Sequence, residues 1–330
     1  MILKPPNFLF IETTTECNLR CKQCHMWMSR EPADSLRTEE KIELVRNFGL
    51  WAPSATVVLT GGETMRKRQE FFGLSRACRN AGLRVAANTN GTYIRPCDFD
   101  ELLESGPHYL VFSLDSHKES VHDWIRGRRG TFRQVTEAIR GLVDRKQRLG
   151  AACDVKIMTN TILFDRNVSE IEELVSALTD LGVDGIMFQV LSRTFLFQGR
   201  RDVFFERHVP RDLNAFDRAV DRLLALKECG APIVTPANDL RWMKLYVRNP
   251  DFIGEQVCGS GERNMMVDQR GDVQLCFSMR ALVGGKALGN VRESSLQEIW
   301  ESAAAARARS VMSNCRKNCG MLNCHRRIGS

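Results

Sequence analysis

The sequence FLFIETTTECNLRCKQC, residues 8–24, decides the fold class of this 330-residue chain. It opens with the apolar run Phe8–Thr13, which predicts a β-strand buried on both faces, and Cys17, Cys21 and Cys24 follow in the next loop. Similar runs rich in Val, Ile, Phe and Leu recur up to about residue 190. The six predicted strands are Phe8–Thr13, Thr56–Thr60, Arg84–Asn88, Tyr109–Leu114, Asp154–Thr161 and Gly185–Leu191.

Helical segments lie between these strands, and glycines follow them closely, as glycines do at helix C-termini. The alternation of strands and helices predicts an α/β fold with right-handed crossovers, in the form of an open sheet or a barrel. In both forms, the chemistry gathers at the carboxyl ends of the strands. The predicted helices are Thr38–Phe48, Arg68–Ala81, Thr131–Leu149 and Ser169–Leu181.

Polar residues or tight turns mark all six predicted strand ends. The first end carries the cysteine loop, and the other ends carry glycines, carboxylates, amides and a hydroxyl. Polar groups at so many strand ends indicate one shared cavity. After the cysteine loop, these residues are Gly61, Gly62, Glu63, Asn90, Ser113, Asp115, Asn160 and Gln189.

Cysteine usage is the strongest signal in the composition. The chain has 12 cysteines and no export signal, so metal binding or redox chemistry is expected rather than disulfide formation. The four scattered residues Cys78, Cys97, Cys153 and Cys229 are predicted to be buried apolar side chains or bystanders. The other eight form two groups: Cys17, Cys21 and Cys24, then Cys258, Cys276, Cys315, Cys319 and Cys324.

The first group has the spacing C-x3-C-x2-C. Three thiolates on one tight loop can each hold one iron of a [4Fe–4S] cube, which leaves the fourth iron open to a small chelate such as an amino acid. The alternative is a zinc knuckle with His25 as the fourth ligand. The position of the loop at a strand end favours the cluster, because a structural zinc does not need that position.

This loop, followed by Gly61-Gly62-Glu63 after the second strand, resembles the radical S-adenosylmethionine (SAM) superfamily over roughly residues 8–200. The resemblance implies a partial (β/α)6 TIM-like barrel in which Cys17, Cys21 and Cys24 hold a [4Fe–4S] cluster. It implies reductive cleavage of SAM at the open iron, with release of a 5′-deoxyadenosyl radical that takes hydrogen from an unactivated C–H bond. It also implies a flavodoxin- or ferredoxin-type electron donor and a dry cavity.

The resemblance further assigns residues to the binding of SAM. Gly61, Gly62 and Glu63 match the segment near the SAM amino group, with Glu63 as an acceptor for the ammonium. Ser113 and Asp115 match positions that contact the methionine carboxylate and the ribose, and Arg126 matches an arginine that pairs with the carboxylate. Asn90 and Gln189, at the ends of strands three and six, complete the predicted cofactor-binding set, although Asn90 could equally be a turn former.

Two residues depart from the family pattern. Gln23 stands before the third cysteine, where the family usually has an aromatic residue near the adenine. Met26 or Trp27 is the expected compensation. Thr64 follows the glycine-glycine-glutamate segment, where proline is common, and it should loosen that turn slightly.

The second cysteine group resembles the SPASM/twitch auxiliary-cluster extension. Cys258 and Cys276 flank a predicted hairpin around Gly271, and Cys315, Cys319 and Cys324 close the chain. The full SPASM pattern has seven cysteines, so five imply one auxiliary [4Fe–4S] cluster with one cysteine to spare. Any two of the three tail cysteines could complete it. The spare thiol, for which Cys315 is the candidate, could be a bystander or a catalytic hydrogen donor. The fifth cysteine could instead indicate a second, incomplete cluster. The alternative for the whole group is a structural zinc ribbon.

These readings predict a domain plan: a radical SAM barrel at 1–210, a helical connector at 211–255 and a small cysteine-rich α+β auxiliary-cluster domain at 256–330. The net charge of +7 is mild, and the basic tail residues are mixed with cysteines rather than aromatics, so nucleic acid is not the expected partner. No apolar run approaches the ~20 residues of a membrane helix. The predicted location is cytoplasmic.

The sequence leaves the type of reaction undecided. An auxiliary cluster favours oxidation of a substrate radical, as in dehydrogenation or cross-linking, whereas a redox-neutral epimerisation needs a thiol that returns hydrogen. The chain starts almost on the first strand, which favours a sugar or aminocyclitol over a ribosomal peptide. A ferredoxin-like electron carrier and a zinc-dependent nucleic-acid binder are the hypotheses from other classes.

Overall fold

A parallel β/α layer forms most of the molecule. The computed structural model describes residues 3–193, 202–250, 257–277 and 286–315, and the backbone of 325 and 326. Strands and helices alternate from the first strand to the sixth, which confirms the predicted α/β class. The strands are β1 (Phe8–Thr14), β2 (Thr56–Gly61), β3 (Arg84–Thr89), β4 (Tyr109–Ser113), β5 (Lys156–Leu163) and β6 (Gly185–Val190).

The helices of this layer include two short ones that the sequence pattern did not predict, α3 and α4. Gly49 lies inside α1 rather than after it. A side chain at this position would stand 2.8 Å from the Ala81 Cβ, which explains why the residue is glycine. Arg37 is the N-cap of α1. The helices are α1 (Thr38–Trp51), α2 (Arg68–Asn80), α3 (Phe99–Ser105), α4 (Glu119–Arg126), α5 (Thr131–Leu149) and α6 (Ile171–Asp180).

The sheet runs in the order β6-β5-β4-β3-β2-β1, and each of these neighbours is parallel. Burial alternates along the strands: Leu9 and Ile11 are fully buried, whereas Phe10 and Glu12 are only partly buried. One face therefore packs against the helices, and the other lines an open cavity. The prediction of strands buried on both faces was wrong, because a partial barrel leaves room along its inner face.

The C-terminal part extends this same sheet. Strand β7 (Val257–Cys258) and the short helix α10 (Ser260–Arg263) lead into β8 (Asn264–Val267), which pairs parallel with β1. Strand β9 (Val273–Gln274) then pairs antiparallel with β8, which confirms the predicted hairpin. The cysteine-rich segment is thus joined to the barrel by backbone hydrogen bonds.

The remaining helices cover the two ends of the sheet. Helix α8 packs on α6, and Ile233 beyond it forms a bridge with Ile186 of β6. Residues 295–313 form two helices, because Ser302 adopts an extended conformation and caps the second through the Ala305 amide. These helices are α7 (Val203–His208), α8 (Leu213–Glu228), α9 (Ala237–Arg248), α11 (Leu296–Glu301) and α12 (Ala303–Ser313).

A final two-residue strand, β10 (His325–Arg326), pairs antiparallel with β7. None of the helices that the structure describes is both long and apolar enough to cross a membrane. The domain limits 1–210, 211–255 and 256–330 stay predictions.

Candidate iron–sulfur and cofactor site

The first cysteine group lies on the loop after β1. Cys21 is buried, Cys17 and Cys24 are half-buried, and all three are free thiols. The Cys24 amide donates to the Cys21 carbonyl at 3.2 Å, which closes a tight turn between these two residues. The Lys22 amide donates to the Ile125 carbonyl at 2.8 Å, so the end of α4 fixes the middle of the loop.

Burial governs the protonation of Cys17 and Cys21. It raises the pKa of the Cys21 thiol to about 11, although the nearby Arg126 guanidinium opposes the shift. Burial also raises the pKa of Cys17, helped by the charges of Glu63 and Cys24. These two thiols therefore keep their protons until a metal displaces them, and metal binding must release those protons. Within the described residues, no three His, Cys, Asp or Glu side chains stand close enough to hold a single metal ion.

Asn90 connects the third strand to the cysteine loop. Its Nδ2 lies 3.9 Å from the Cys17 Sγ and donates to the Asn18 Oδ1 at 3.0 Å. Its Oδ1 accepts from the Thr92 amide and hydroxyl, at 3.0 and 2.7 Å. The side chain therefore forms a local turn and at the same time presents a donor to a cysteine sulfur.

The glycine-glycine-glutamate segment packs against the end of β1. Gly61 has φ +125°, and a side chain on Gly62 would stand 2.2 Å from the Glu16 carbonyl oxygen. The Gly62 and Glu63 amides donate to the carbonyls of Thr14 and Glu16, at 2.6 and 2.9 Å. The glycines thus allow this segment to approach the chain that leads into the cysteine loop.

Glu63 points into the protein. It is 1% exposed, and its carboxylate accepts from the Thr89 hydroxyl at 2.7 Å, the Asn90 amide at 2.7 Å and the Met65 amide at 3.1 Å. Burial raises the pKa of Glu63 above its usual value, although these hydrogen bonds oppose the shift. In the described contacts the carboxylate holds the turn that carries Asn90, and its contact with the SAM ammonium stays a prediction.

Asp115 and Arg126 form a buried ion pair rather than an open binding group. The Asp115 Oδ2 lies 2.7 Å from the Arg126 Nη2, and its Oδ1 accepts from the Ile162 amide. Asp115 is 0% exposed, and its contact with SAM stays a prediction. Arg126 also hydrogen-bonds Cys21, and its Nε is buried without a partner in the described contacts. Arg126 pairs with Asp115 here, and its pairing with the SAM carboxylate stays a prediction.

His122 supports this pair and was missed by the sequence analysis. Its Nδ1 accepts from the Asp115 amide at 3.2 Å, which assigns the proton to Nε2. Burial, together with the charge of Arg126, holds the pKa of His122 well below its ordinary value. The imidazole is therefore neutral and orients the backbone at Asp115.

The inner face of the barrel carries polar side chains near the carboxyl ends of the strands. Register pairs Glu12 with Thr60 and Ser113 with Asn160, which places each pair on one face. Burial alternation places Asn88 and Gln189 on that face too. Of these six residues, only Ser113 and Gln189 were in the predicted cofactor-binding set. The other four could have been found from the strict alternation of side chains between the two faces of each strand.

The two departures from the family pattern, Gln23 and Thr64, have structural consequences. The Thr64 hydroxyl donates to the Asn88 carbonyl at 2.8 Å, so it tightens the turn that proline would otherwise stiffen. The Gln23 Oε1 and the Asn160 Oδ1 are buried acceptors without a partner in the described contacts. Such groups require a partner. Together with the three free thiols, they fit a site completed by a polar group bound between the cysteine loop and the barrel.

A partly buried network of polar side chains contacts the chain just before the cysteine loop. Glu31 accepts from the Thr14 hydroxyl at 2.8 Å, the Thr15 amide at 2.7 Å and the Lys67 ammonium at 2.8 Å. Lys41, which is fully buried, donates to the Thr13 carbonyl at 2.8 Å. The sequence gives no signal for this network, because its members are far apart along the chain and their residue types are ordinary.

The second cysteine group is partly described. Cys258, Cys276 and Cys315 are all half-buried. The Ser260 hydroxyl donates to the Leu275 carbonyl at 2.6 Å, which ties the neighbourhood of Cys258 to that of Cys276. Helix α12, which ends just before Cys315, packs on α10. Cys319 and Cys324 lie outside the described residues.

Two family models match the chain. Residues 11–178 match the radical SAM superfamily, and residues 258–325 match SPASM, an iron–sulfur cluster-binding domain. Both resemblances, to the radical SAM superfamily and to the SPASM extension, are confirmed. These domains imply [4Fe–4S] clusters and SAM as cofactors.

Relatives named for different activities match most of this chain. An AdoMet-dependent heme synthase of Methanosarcina barkeri is 27% identical, over 96% of this chain and 88% of its own. The Bacillus subtilis antilisterial bacteriocin subtilosin biosynthesis protein AlbA is 26% identical, over 88% of this chain and 58% of its own. Streptococcus suis SuiB, solved with precursor peptide SuiA, has a TM-score of 0.72 at 18% identity, covering 98% of this chain and 73% of its own; it was also solved with S-adenosylmethionine.

Proposed function

The chain belongs to the radical SAM superfamily and carries a SPASM domain, and from this premise we propose that it abstracts hydrogen from an sp3 carbon of a peptide substrate and oxidises the product radical. The observation that carries the proposal is the pairing of three free thiols on one loop with an inner barrel face of polar, mostly uncharged side chains. When bound, the first cluster and SAM supply a 5′-deoxyadenosyl radical.

The chain's own residues have distinct tasks in this proposal. Cys17, Cys21 and Cys24 hold the first cluster. Asn90 and Arg126 direct hydrogen bonds to Cys17 and Cys21, and such bonds to cluster sulfurs tune the potential. The accessible polar groups of the inner face orient SAM and substrate, whereas Glu63 and Asp115 act on their neighbours within the chain.

Gly61, Gly62, Ser113 and Gln189 remain proposed contacts of SAM. Each is partly exposed, and the two glycines lie beside the segment that leads into the cysteine loop. The buried Asn160 Oδ1 without a partner is a further candidate acceptor for a donor on SAM or substrate.

Cys258 and Cys276 with two of Cys315, Cys319 and Cys324 are proposed as ligands of one auxiliary cluster. An alanine series over these positions tests this assignment. A ligand variant should lose about half of the total iron, and a spare cysteine should keep all of it. Full iron with loss of turnover would identify a hydrogen-donor thiol, and the reaction would then be a redox-neutral epimerisation.

The inner face favours a substrate with neutral hydrogen-bonding groups. Towards the carboxyl ends of β1 to β6, its polar positions carry amides, hydroxyls and a single carboxylate, Glu12, whereas Arg84 and Lys156 stand at the amino ends of β3 and β5. Peptide groups and alcohols pair with such residues without leaving a charge unpaired. The relation to AlbA, named for a bacteriocin, favours the peptide over the sugar or aminocyclitol.

A heme precursor is the second candidate substrate. The M. barkeri heme synthase matches this chain over 88% of its own length, against 58% for AlbA. A tetrapyrrole carries several carboxylates, which need cations nearby. The inner-face positions of the six described strands supply none near their carboxyl ends, so the geometry supports the peptide better.

Deuterium transfer tests the proposed function. Reconstituted protein, SAM and reductant are incubated with deuterated peptides, with a deuterated heme precursor or with a deuterated aminocyclitol. We expect deuterium in 5′-deoxyadenosine only with a peptide. Transfer only from the tetrapyrrole or from the aminocyclitol would refute the peptide assignment while leaving the radical chemistry intact.

A further inference from the structure

A basic groove lies on the outside of the cysteine loop. It is an open depression of about 960 Å³, and none of its described lining residues belongs to a β-strand. It is therefore separate from the inner face of the barrel. Five cations and two carboxylates line it, around the partly exposed ring of Trp124. The cations are Lys22, Lys118, Arg128, Arg129 and Arg133.

The groove is in direct contact with the cluster loop. Lys22 stands between two cluster cysteines, and its ammonium lies 5.3 Å from the centre of the Trp124 ring. A side chain on Gly127 would stand 2.2 Å from the Arg20 carbonyl oxygen, so the backbones after α4 and in the loop touch. Arg126, next to Gly127, hydrogen-bonds the buried Cys21. Only the last residues of α4 separate the groove from a cluster ligand.

The positive charge of the groove is only partly neutralised. Arg133 pairs with Glu119 at 3.1 Å, and Lys118 pairs with Glu170. The Asp123 carboxylate accepts the Gly130 and Phe132 amides.

Further cations in and beside the groove have no ion pair among the described contacts. Lys22 and Arg129 have no such partner, and the Arg128 guanidinium donates to the neutral Gln134 side chain. Arg166, beside the groove, lies 3.8 Å from the centre of the Trp124 ring. The groove thus offers an excess of positive charge with an aromatic centre, a combination suited to a transient partner with an acidic surface.

We propose that this groove docks an acidic, one-electron redox protein that reduces the first cluster. The inference rests on the proposed function, which requires an external electron, and it adds the surface through which that electron enters. The step moves one electron from the reduced carrier, which is oxidised, to the cluster, which is reduced, and no bond forms or breaks. Entry from the outer face leaves the inner face free for SAM and substrate.

The test compares a protein donor with a small one in the reconstituted enzyme. The double variant Arg129→Glu/Arg133→Glu reverses two charges of the groove. Arg140→Glu/Arg148→Glu is the matched control, because both residues are exposed on α5, away from the groove, without a described ion pair. 5′-Deoxyadenosine formation is measured with a reduced acidic flavodoxin and, separately, with dithionite, at low and high ionic strength.

We expect the groove variant to lose about tenfold or more of kcat/KM for flavodoxin at low ionic strength, because steering by opposite charges has that size. High salt should bring the wild-type protein down towards the variant. Dithionite should drive both proteins and the control equally well. The control should also keep its rate with flavodoxin.

Equal rates of variant and wild type with flavodoxin would overturn the proposal. Equal losses with both reductants would also overturn it, since the face would then serve the fold or an acidic substrate. Failure of the radical chemistry in the proposed function gives a different result, namely no 5′-deoxyadenosine from wild type with dithionite, and failure of the peptide assignment alone shows as deuterium transfer from another substrate. Docking is then still decided by the rate at which flavodoxin reduces the cluster, followed by electron paramagnetic resonance.

Discussion

At the scale of single residues, Asn90 joins two tasks in one side chain. Its carbonyl oxygen shapes the turn after β3, and its amide nitrogen stands 3.9 Å from the Cys17 sulfur. Glu63 fixes the backbone beneath it through the Asn90 amide. The chain therefore sets the position of a donor to a cluster ligand before any metal binds.

Replacing Asn90 by Asp keeps the turn acceptor and removes the donor. Loss of a hydrogen bond worth ~1 kcal/mol should lower the reduction potential of the first cluster by about 40 mV, and the added negative charge should lower it further. A potentiometric titration followed by electron paramagnetic resonance measures this shift.

Asn88→Asp is the matched control, because it adds the same charge two residues earlier at an exposed position. Its shift should be clearly smaller. Equal shifts in the two variants would mean that charge alone acts and that the contact with Cys17 has no part in it.

Residue positions could be predicted from the sequence better than side-chain directions could. Glu63, Asp115 and Arg126 were expected to meet SAM, and all three lie in the site region but face other residues of the chain. A strand end predicts where a polar residue stands. Which partner a buried charge takes depends on packing between distant segments, which no local pattern encodes.

At the level of secondary-structure elements, the cysteine loop is supported by Glu31, whose carboxylate links the end of β1 to Lys67. Burial raises the pKa of Glu31, but the hydrogen bonds from Lys67, the Thr15 amide and the Thr14 hydroxyl outweigh it and lower this pKa to about 2. The carboxylate is thus fully charged at neutral pH and holds both the end of β1 and Lys67.

Glu31→Gln should weaken the hold on the cluster. The charge-assisted bonds are worth more than neutral ones, so iron loss to a chelator at pH 7 should become about tenfold faster. Because the folded pKa lies below the ordinary 4.5, the stabilisation from Glu31 is complete above about pH 4.5 and is lost as pH falls towards 2. In cluster-free protein, the difference in unfolding free energy between variant and wild type should shrink over that window.

Glu39→Gln is the control on α1, where the side chain is exposed. It should leave iron release unchanged. An unchanged rate in Glu31→Gln would remove Glu31 from the support of the loop.

Gly62 tests the contact between β1 and the segment after β2. A methyl group there would stand 2.2 Å from the Glu16 carbonyl oxygen and 2.7 Å from that of Thr15, so Gly62→Ala should cost about 2 kcal/mol or more and reduce iron binding. Thermal unfolding and iron content measure the two effects.

Gly73→Ala is the opposite case, because its methyl would meet only the Ile42 Cδ1 at 3.5 Å, inside α2. This variant should gain up to about 1 kcal/mol from helix propensity. A stable, iron-loaded Gly62→Ala protein would contradict the close contact.

Long apolar runs allowed the six parallel strands to be predicted within about two residues, because buried strands have a strong local signal. Short helices such as α3 and α4 have too few turns for a periodic pattern. The pairing of β8 with β1 joins Phe8 to Asn264, and no local pattern predicts a contact between such distant segments.

At the scale of the whole molecule, the C-terminal unit is bound to the barrel at several points. The Gln269 Nε2 donates to the inner-face Glu12 at 2.9 Å, and Arg292 pairs with Glu40 at 2.8 Å. The Trp300 Nε1 donates to the Lys4 carbonyl at 3.1 Å. An auxiliary cluster held by this unit would therefore keep a fixed position relative to the cavity, as oxidation of a substrate radical requires.

This architecture also separates the enzyme from an electron carrier. A carrier needs cluster ligands and a docking face, but it does not need an inner face with polar side chains such as Ser113, Asn160 and Gln189. The match to the radical SAM superfamily supports the same choice.

The most direct measurement is the yield of 5′-deoxyadenosine from SAM under anaerobic reduction. Wild-type protein reconstituted with iron and sulfide should form it, and alanine variants of Cys17, Cys21 or Cys24 should not. Cys97→Ala, at an exposed thiol outside both groups, should behave like wild type. Intact SAM in the iron-loaded wild-type protein, or yields from the three loop variants equal to the wild-type yield, would contradict SAM cleavage at this loop.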